Sequence, residues 1–450
     1  MAHPLFVRHP GLQQGGAMDQ DGPHQFSELS LRSKHGRRPR QRYPATMAFL
    51  PFALRRPWLL VRDLVVDRGD PDLEALGRLT DPERFLWAIL PHAARTFSAS
   101  IAMLPARSAK ASAVAYLYCR MLDTYEDLVP QVAAREAALS AFADRFRHPG
   151  SDGLLKSPPK LEARIVDSAD RAHVLLVERC ELVDRIFSSL EPAVRTIIQD
   201  LVSDMARGMV WGSNVFEKQH GVLQSEEQLL RYCREVLGNP VVYVARLSMI
   251  LQGKSPDLTL EQHNTAMRAG EFVQLANITR DVEKDLAREV AYSETLAQDL
   301  GRKLARPRAS FGRGNRDQPA ALHEVDSVDG ADPELVERVR LARARFLQLA
   351  LERASDYERF IDLHRSRLLC ASTLLLLLFT DRHYRGTAAR IGHAPWGKRR
   401  SSLTLLMLAL PSTLSRSWTR RLSQRIVSDM TAASQAFSSP APSVLPQSRS

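Results

Sequence analysis

The sequence predicts a helical fold, and three stretches carry the prediction. Residues 270–285, GEFVQLANITRDVEKD, place Gln274, Asn277, Asp281 and Asp285 at spacings of three, four and four, which at about 3.6 residues per turn is one narrow stripe. The opposite side carries Phe272, Val273, Leu275, Ile278 and Val282, an apolar face suited to packing on protein. Upstream, AYLYCRMLDTYED repeats the arrangement with Tyr116, Arg120, Asp123 and Asp127 at four, three and four. A third stretch, DPERFLWAILPHAARTFSASIAMLP, opens as a helix should, with Asp81 as N-cap and Pro82 in the first position.

The polar stripes say more than the periodicity. Burying two carboxylates without a counter-charge is costly. A divalent cation is the natural compensation, because Mg²⁺ takes one or two protein oxygens and fills its shell with water and substrate phosphate. An ordinary solvated helix face is the alternative for any single DxxxD match. Two such stripes weaken that alternative, since two helices, each offering carboxylates at i and i+4, can face each other and hold ions between them. Arg120 and Arg280 stand beside their aspartates, and a guanidinium fork suits bidentate contact with phosphate. The ligand inferred is a diphosphate.

DTYED preceded by YLYCR, the later GEFVQLANITRDVEKD and the upstream ARTFSASIAMLP together resemble the squalene/phytoene synthase family, over residues 94–391. That family condenses two prenyl diphosphates, such as farnesyl or geranylgeranyl diphosphate, head to head. The resemblance implies a single all-α domain, an isoprenoid-synthase-type helical bundle around a central apolar cavity. It implies Mg²⁺ ions held by Asp123, Asp127, Asn277, Asp281 and Asp285, with Arg120 and Arg280 beside them in the catalytic centre. Substrate would be bound by Arg95, Thr96, Phe97, Tyr116, Arg120, Tyr232, Gln274, Asn277, Arg280, Arg288 and, at the cavity rim, Tyr384. In the family's scheme a cyclopropyl diphosphate forms first. Squalene-forming relatives then use NADPH without a GxGxxG fingerprint, so the lack of that fingerprint here leaves NADPH open. Two other readings stand: a class I terpene cyclase acting on one prenyl diphosphate, and a non-catalytic relative serving as an assembly or scaffold protein. Product identity, substrate chain length and oligomeric state are not legible in the sequence.

Length and composition fit this reading. The 450 residues are 44% hydrophobic and 25% charged, normal for a globular protein. Cys119, Cys180, Cys233 and Cys370 form no CxxC pair, so the default is a reducing, cytoplasmic setting without structural zinc. Residues 1–46, with the basic cluster RSKHGRRPRQR, read as a disordered extension without a secretory h-region, and Met47 is an alternative start. The catalytic domain is expected over 47–395.

Within it, helices are expected over 132–146, 165–190 and 190–211, the last ending near Gly208 or Gly212, with Met205, Met209 and Trp211 read as core in preference to cavity lining. Pro240, in VLGNPVV, should kink or break a helix, either as a curved wall for an apolar chain or as a plain loop. Relatives carry small residues here, whereas this chain has Val241. Residues 301–333 read as a long flexible insert. LLCASTLLLLLF, residues 368–379, falls short of the about 20 apolar residues needed to cross a bilayer and reads as a core helix.

The segment 396–450 is a basic C-terminal region with a disordered tail. Between Asp381 and Ile426 ten basic residues face one acidic residue, a net +9 out of the chain's formal +11. Leu414, Trp418, Leu422 and Ile426 recur every four residues among arginines. That pattern suits peripheral contact with an anionic membrane surface, on the inner face, as well as it suits a solvated basic tail. No nucleic-acid reader motif accompanies the charge.

Overall fold

The structure is a computed structural model that describes residues 51–65, 71–94, 96–148, 155–162, 168–302 and 332–438. The extension over 1–46, the insert between 302 and 332 and the tail after 438 lie outside the described residues, as does Arg95. The helices, in order, are α1 (Phe52–Val65), α2 (Leu73–Gly77), α3 (Pro82–Ala94), α4 (Thr96–Met103), α5 (Ala106–Leu128), α6 (Val132–Arg147), α7 (Ser168–Glu178), α8 (Cys180–Ser188) and α9 (Pro192–Lys218). They continue with α10 (Glu226–Cys233), α11 (Asn239–Leu251), α12 (Leu260–Leu286), α13 (Pro333–Leu351), α14 (Ala354–Asp362), α15 (Arg367–Arg390), α16 (Ser402–Ala409) and α17 (Arg416–Ser438). Among the described residues extended pairing is limited to one isolated bridge, between Val222 and Ala291.

Local chemistry sets the ends of these helices. Asp81 accepts from the Arg84 amide at 2.7 Å, as its N-cap reading requires. α12 begins with a capping box in which Thr259 and Gln262 satisfy each other's backbone amides. Asp332 caps α13 ahead of Pro333. α5 is built on the small residues Ala109, Ala111, Ala113 and Ala115, all buried, which let α3, α4, α7 and α9 approach its backbone. α12 lies against α11, α13, α14 and α15. Phe272, its largest core side chain, packs against Tyr357 at a tilt and against Tyr384 edge to face, with ring centres 5.3 Å away in each case.

Several expectations are corrected. The helix 165–190 is two helices broken at Arg179, whose guanidinium leaves the helix line to donate to the carbonyls of Gly77 and Leu79. α9 does not end at Gly208 or Gly212 but runs to Lys218. The two glycines are there for contact: a Cβ on Gly208 would collide with Glu235, and one on Gly212 would sit 3.4 Å from the Tyr232 ring. Pro240 does not open a loop. A π-helical turn, Arg234–Gly238, joins α10 to α11, and Pro240 occupies the first turn of α11, where its missing amide proton costs nothing.

The C-terminal stripe is also corrected. Ile426 is buried, the Trp418 indole donates to the Leu408 carbonyl at 3.0 Å, and Leu422 lines a crevice against α15 and α16. Only Leu414 of the four is exposed, so this stripe is not available as the apolar side of a surface-lying helix. α15 carries the Leu-rich run as a core helix, and no helix among the described residues is long and apolar enough to cross a membrane.

Candidate active site

α5 and α12 line one deep cavity of ≈ 330 Å³ with their polar stripes. From α5 come Ser112, Ala115, Tyr116, Cys119, Arg120, Asp123, Glu126 and Asp127, a run of three- and four-residue steps along one face. From α12 come Gln274, Asn277, Ile278, Arg280, Asp281, Lys284 and Asp285, followed by Arg288 and Tyr292 in the segment after it. The carboxylates gather at the C-terminal ends of both helices. Alanines 93 and 94, Ile101, Leu104, Leu201, Val236, Leu237, Val241, Val244, Phe360 and Leu376 supply the apolar wall.

The two stripes are electrostatically joined. Arg288 lies 3.5 Å from Asp127, tying the segment after α12 to the end of α5. Within α5, Arg120 pairs with Asp123 at 3.0 Å and donates to the Tyr116 hydroxyl at 3.1 Å. Within α12, Arg280 forks onto Asp281, with a shortest contact of 2.6 Å, and the Asn277 amide donates to Gln274 at 3.0 Å.

Burial works against the charged carboxylates. It raises the Asp123 pKa to about 6, with Arg120 opposing and Asp127 assisting. Burial raises Asp285 to about 7, assisted by Asp281 and by Asp127 from the other helix. Glu126 is pushed well above the usual range by burial and by Asp127 and Asp123. For Arg120 burial alone would lower the pKa, but Tyr116 and Asp123 reverse the sign. Arg280 behaves likewise through Asp281 and Asp285.

Acidic side chains facing one cavity are oxygen donors of the kind a divalent cation takes. Five carboxylates crowd one end of the cavity, and burial raises two of them, Asp123 and Asp285, to pKa values of about 6 and about 7. Among the described residues no group of three or more His, Cys, Asp or Glu is placed to hold a metal ion by itself.

Of the residues singled out from sequence, Phe97, Tyr116, Arg120, Asp123, Asp127, Tyr232, Gln274, Asn277, Arg280, Asp281, Asp285 and Arg288 all line this cavity. Thr96 opens α4, and its side chain is outside the described set. Tyr384 is a correction: it is fully buried in the core and donates its hydroxyl to the Phe272 carbonyl, bracing α12 from behind instead of standing at the cavity rim. Met205, read as core, lines the cavity, as does Cys119.

Sequence reasoning missed Glu126 and Lys284, although Glu126 lies three residues from Asp123 and Lys284 four from Arg280, so each shares a stripe already drawn. It gave Tyr292 no site role. Tyr292 packs with Tyr232 and Phe216 in an aromatic cluster with ring centres 5.5 to 6.0 Å apart. Asp170 and His173, on α7, also line the cavity and had no signal in the sequence.

Comparison with known proteins agrees with this architecture. The family described as Squalene/phytoene synthase matches residues 90–303. Botryococcus squalene synthase of Botryococcus braunii is 26% identical over 227 residues, 50% of this chain and 45% of that protein. A probable squalene synthase of Neurospora crassa is 29% identical over 222 residues, 49% of this chain and 42% of that protein. The chain thus spans under half the length of these curated relatives. A solved complex of TcSQS with the ligand BPH1237 superposes with a TM-score of 0.55 at 17% identity, covering 79% of this chain and 99% of that one, a likeness of fold. The fold is all-α and is shared with that solved structure. Residues 90–303 are thus similar to the squalene/phytoene synthase family, and the likeness of fold extends over more of the chain.

Proposed function

We propose that the protein is a Mg²⁺-dependent prenyltransferase that joins two prenyl diphosphates head to head and releases diphosphate. The observation that carries the reading is the convergence of the α5 and α12 carboxylates at the mouth of an apolar cavity. Relatives described as squalene synthases support it.

Asp123, Asp127, Asp281, Asp285 and Asn277 would hold the ions. When bound, Mg²⁺ neutralises diphosphate charge and serves as a Lewis acid toward the leaving group. The chain's own groups do the rest. Arg120, Arg280, Lys284 and Arg288 point donors into the same mouth and bind diphosphate oxygens, keeping the leaving group oriented. Tyr116 fixes the Arg120 guanidinium, and Asn277 fixes Gln274. The walls from α3, α4, α11 and α15 exclude water from the allylic cation left behind, and the faces of Phe97, Tyr116 and Tyr292 offer it cation–π stabilisation. The π-turn before α11 presents Val236 and Leu237, and α11 presents Pro240 and Val241, as one continuous apolar wall.

The test is incubation with farnesyl and with geranylgeranyl diphosphate, each with and without Mg²⁺ and NADPH, followed by mass analysis. Products of thirty or forty carbons that require Mg²⁺ support the proposal. A fifteen- or twenty-carbon product from one substrate would replace it with a terpene cyclase, and no turnover would favour a non-catalytic role.

A further inference from the structure

The basic C-terminal region folds into a second concave site. Two adjoining crevices between α15, α16 and α17 are lined by Arg382, Arg385, Lys398, Arg399, Arg400 and Arg425, and share no lining residue with the cavity of α5 and α12. Asp381 and Asp429 are the two carboxylates there, and both are turned toward Arg385. Asp381 accepts from Arg385 at 2.8 Å and from the Trp396 indole at 2.9 Å, while Asp429 lies 3.8 Å from the same arginine. The Arg385 guanidinium also lies over the Trp396 ring and against the backbone of Gly397, so it is fixed in place.

The other cations are left over. Arg382 donates to the Ser402 hydroxyl at 2.7 Å, and Lys398, Arg399, Arg400 and Arg425 make no ion pair among the described residues. Their crowding is felt: burial first, then the neighbouring Arg399, lowers the Arg382 pKa. Ser401 and Thr404, at the start of α16, add hydroxyls to the rim. Excess guanidinium groups with small hydroxyl donors around a concavity match the charge and geometry of phosphate oxygens.

We propose that this concavity between α15, α16 and α17 is a second anion site that binds a phosphate-bearing group, either the headgroup of an anionic lipid or a free phosphate or diphosphate. It gathers six of the ten basic residues between Asp381 and Ile426, none of which lines the cavity of α5 and α12.

The experiment uses the full chain in EDTA, with two arms. One titrates inorganic diphosphate calorimetrically. The other co-sediments the protein with vesicles of phosphatidylglycerol in phosphatidylcholine, against phosphatidylcholine alone. The variant is Arg400→Gln/Arg425→Gln, two exposed positions whose loss should leave the circular dichroism unchanged. An Arg120→Gln/Arg280→Gln variant removes diphosphate binding at the other cavity. Binding in either arm that falls about thirty-fold in the first variant and survives in the second supports the proposal. The arm that responds identifies the source. Binding in neither arm, or binding untouched by Arg400→Gln/Arg425→Gln, overturns it.

Discussion

Gly270→Ala tests whether α12 is placed by a backbone contact. A Cβ at 270 would lie 2.6 Å from the Gly238 amide nitrogen and 2.7 Å from the Leu237 carbonyl oxygen, where ordinary carbon contacts fall at about 3.5–4.0 Å. Both neighbours are backbone atoms of the π-turn, so no rotamer change relieves the clash. α12 and the turn must part by about 1 Å. Overpacking of this kind costs about 1–3 kcal/mol. Replacing a helix-interior glycine returns about 1 kcal/mol of propensity. With backbone on the far side the clash takes the upper part of its range, and the net loss is about 1–2 kcal/mol. The same shift moves Gln274, Asn277 and Asp281, and a 1 Å misplacement of reacting groups costs on the order of 100-fold in turnover. Urea unfolding followed by circular dichroism reads the first effect, and product formation from prenyl diphosphate the second. Gly77→Ala is the control, because its Cβ would meet only Leu175 at an ordinary 3.9 Å. A Gly270→Ala protein with an unchanged or higher midpoint and wild-type turnover would refute the reasoning.

Asp123→Ala and Asp281→Ala should each abolish turnover while leaving the far-ultraviolet spectrum intact, and full activity in either would sink the metal assignment. Mg²⁺ affinity should weaken as pH falls from 7.5 to 5.5, because Asp285 and Asp123 carry raised pKa values of about 7 and about 6 and must lose protons to bind the ion. Calorimetric titration at several pH values would show this, and a flat profile would contradict it. His364 is fully buried with neither ring nitrogen hydrogen-bonded, and burial, helped by Arg416, lowers its pKa to about 3. Its folded value is depressed below the unfolded value of about 6.5, so the unfolded chain takes up the proton first. The stability tied to the neutral ring is complete above pH 6.5 and declines as pH falls toward 3, by on the order of 4 kcal/mol. His364→Phe should therefore flatten the loss of stability between pH 6.5 and 4, and an identical acid profile in both proteins would dispose of the idea.

Much of the site was legible because carboxylates at i and i+4 share a helix face whatever surrounds them. That rule placed Asp123 with Asp127 and Asp281 with Asp285, and the resemblance in residues 94–391 paired the two helices. Tyr384 misled because a tyrosine near the end of a helix can face a cavity or a core, and only packing against Phe272 decides which. The glycines of α9 misled for a related reason. Glycine is a poor helix former in isolation, but Gly208 and Gly212 are needed where Glu235 and Tyr232 press on the helix.

The sequence alone settled which residues share a stripe, where Asp81 starts a helix, and that positive charge collects after Asp381. These are local matters, governed by residue type and by the 3.6-residue turn. The tertiary structure decided that Arg288 reaches Asp127, that Glu126 and Lys284 join the cavity mouth, that a π-turn absorbs Pro240, and that the basic groups of α15 to α17 enclose a concavity. Each depends on how closely two backbones far apart in sequence can approach, and that distance is set by the bulk of the side chains between them.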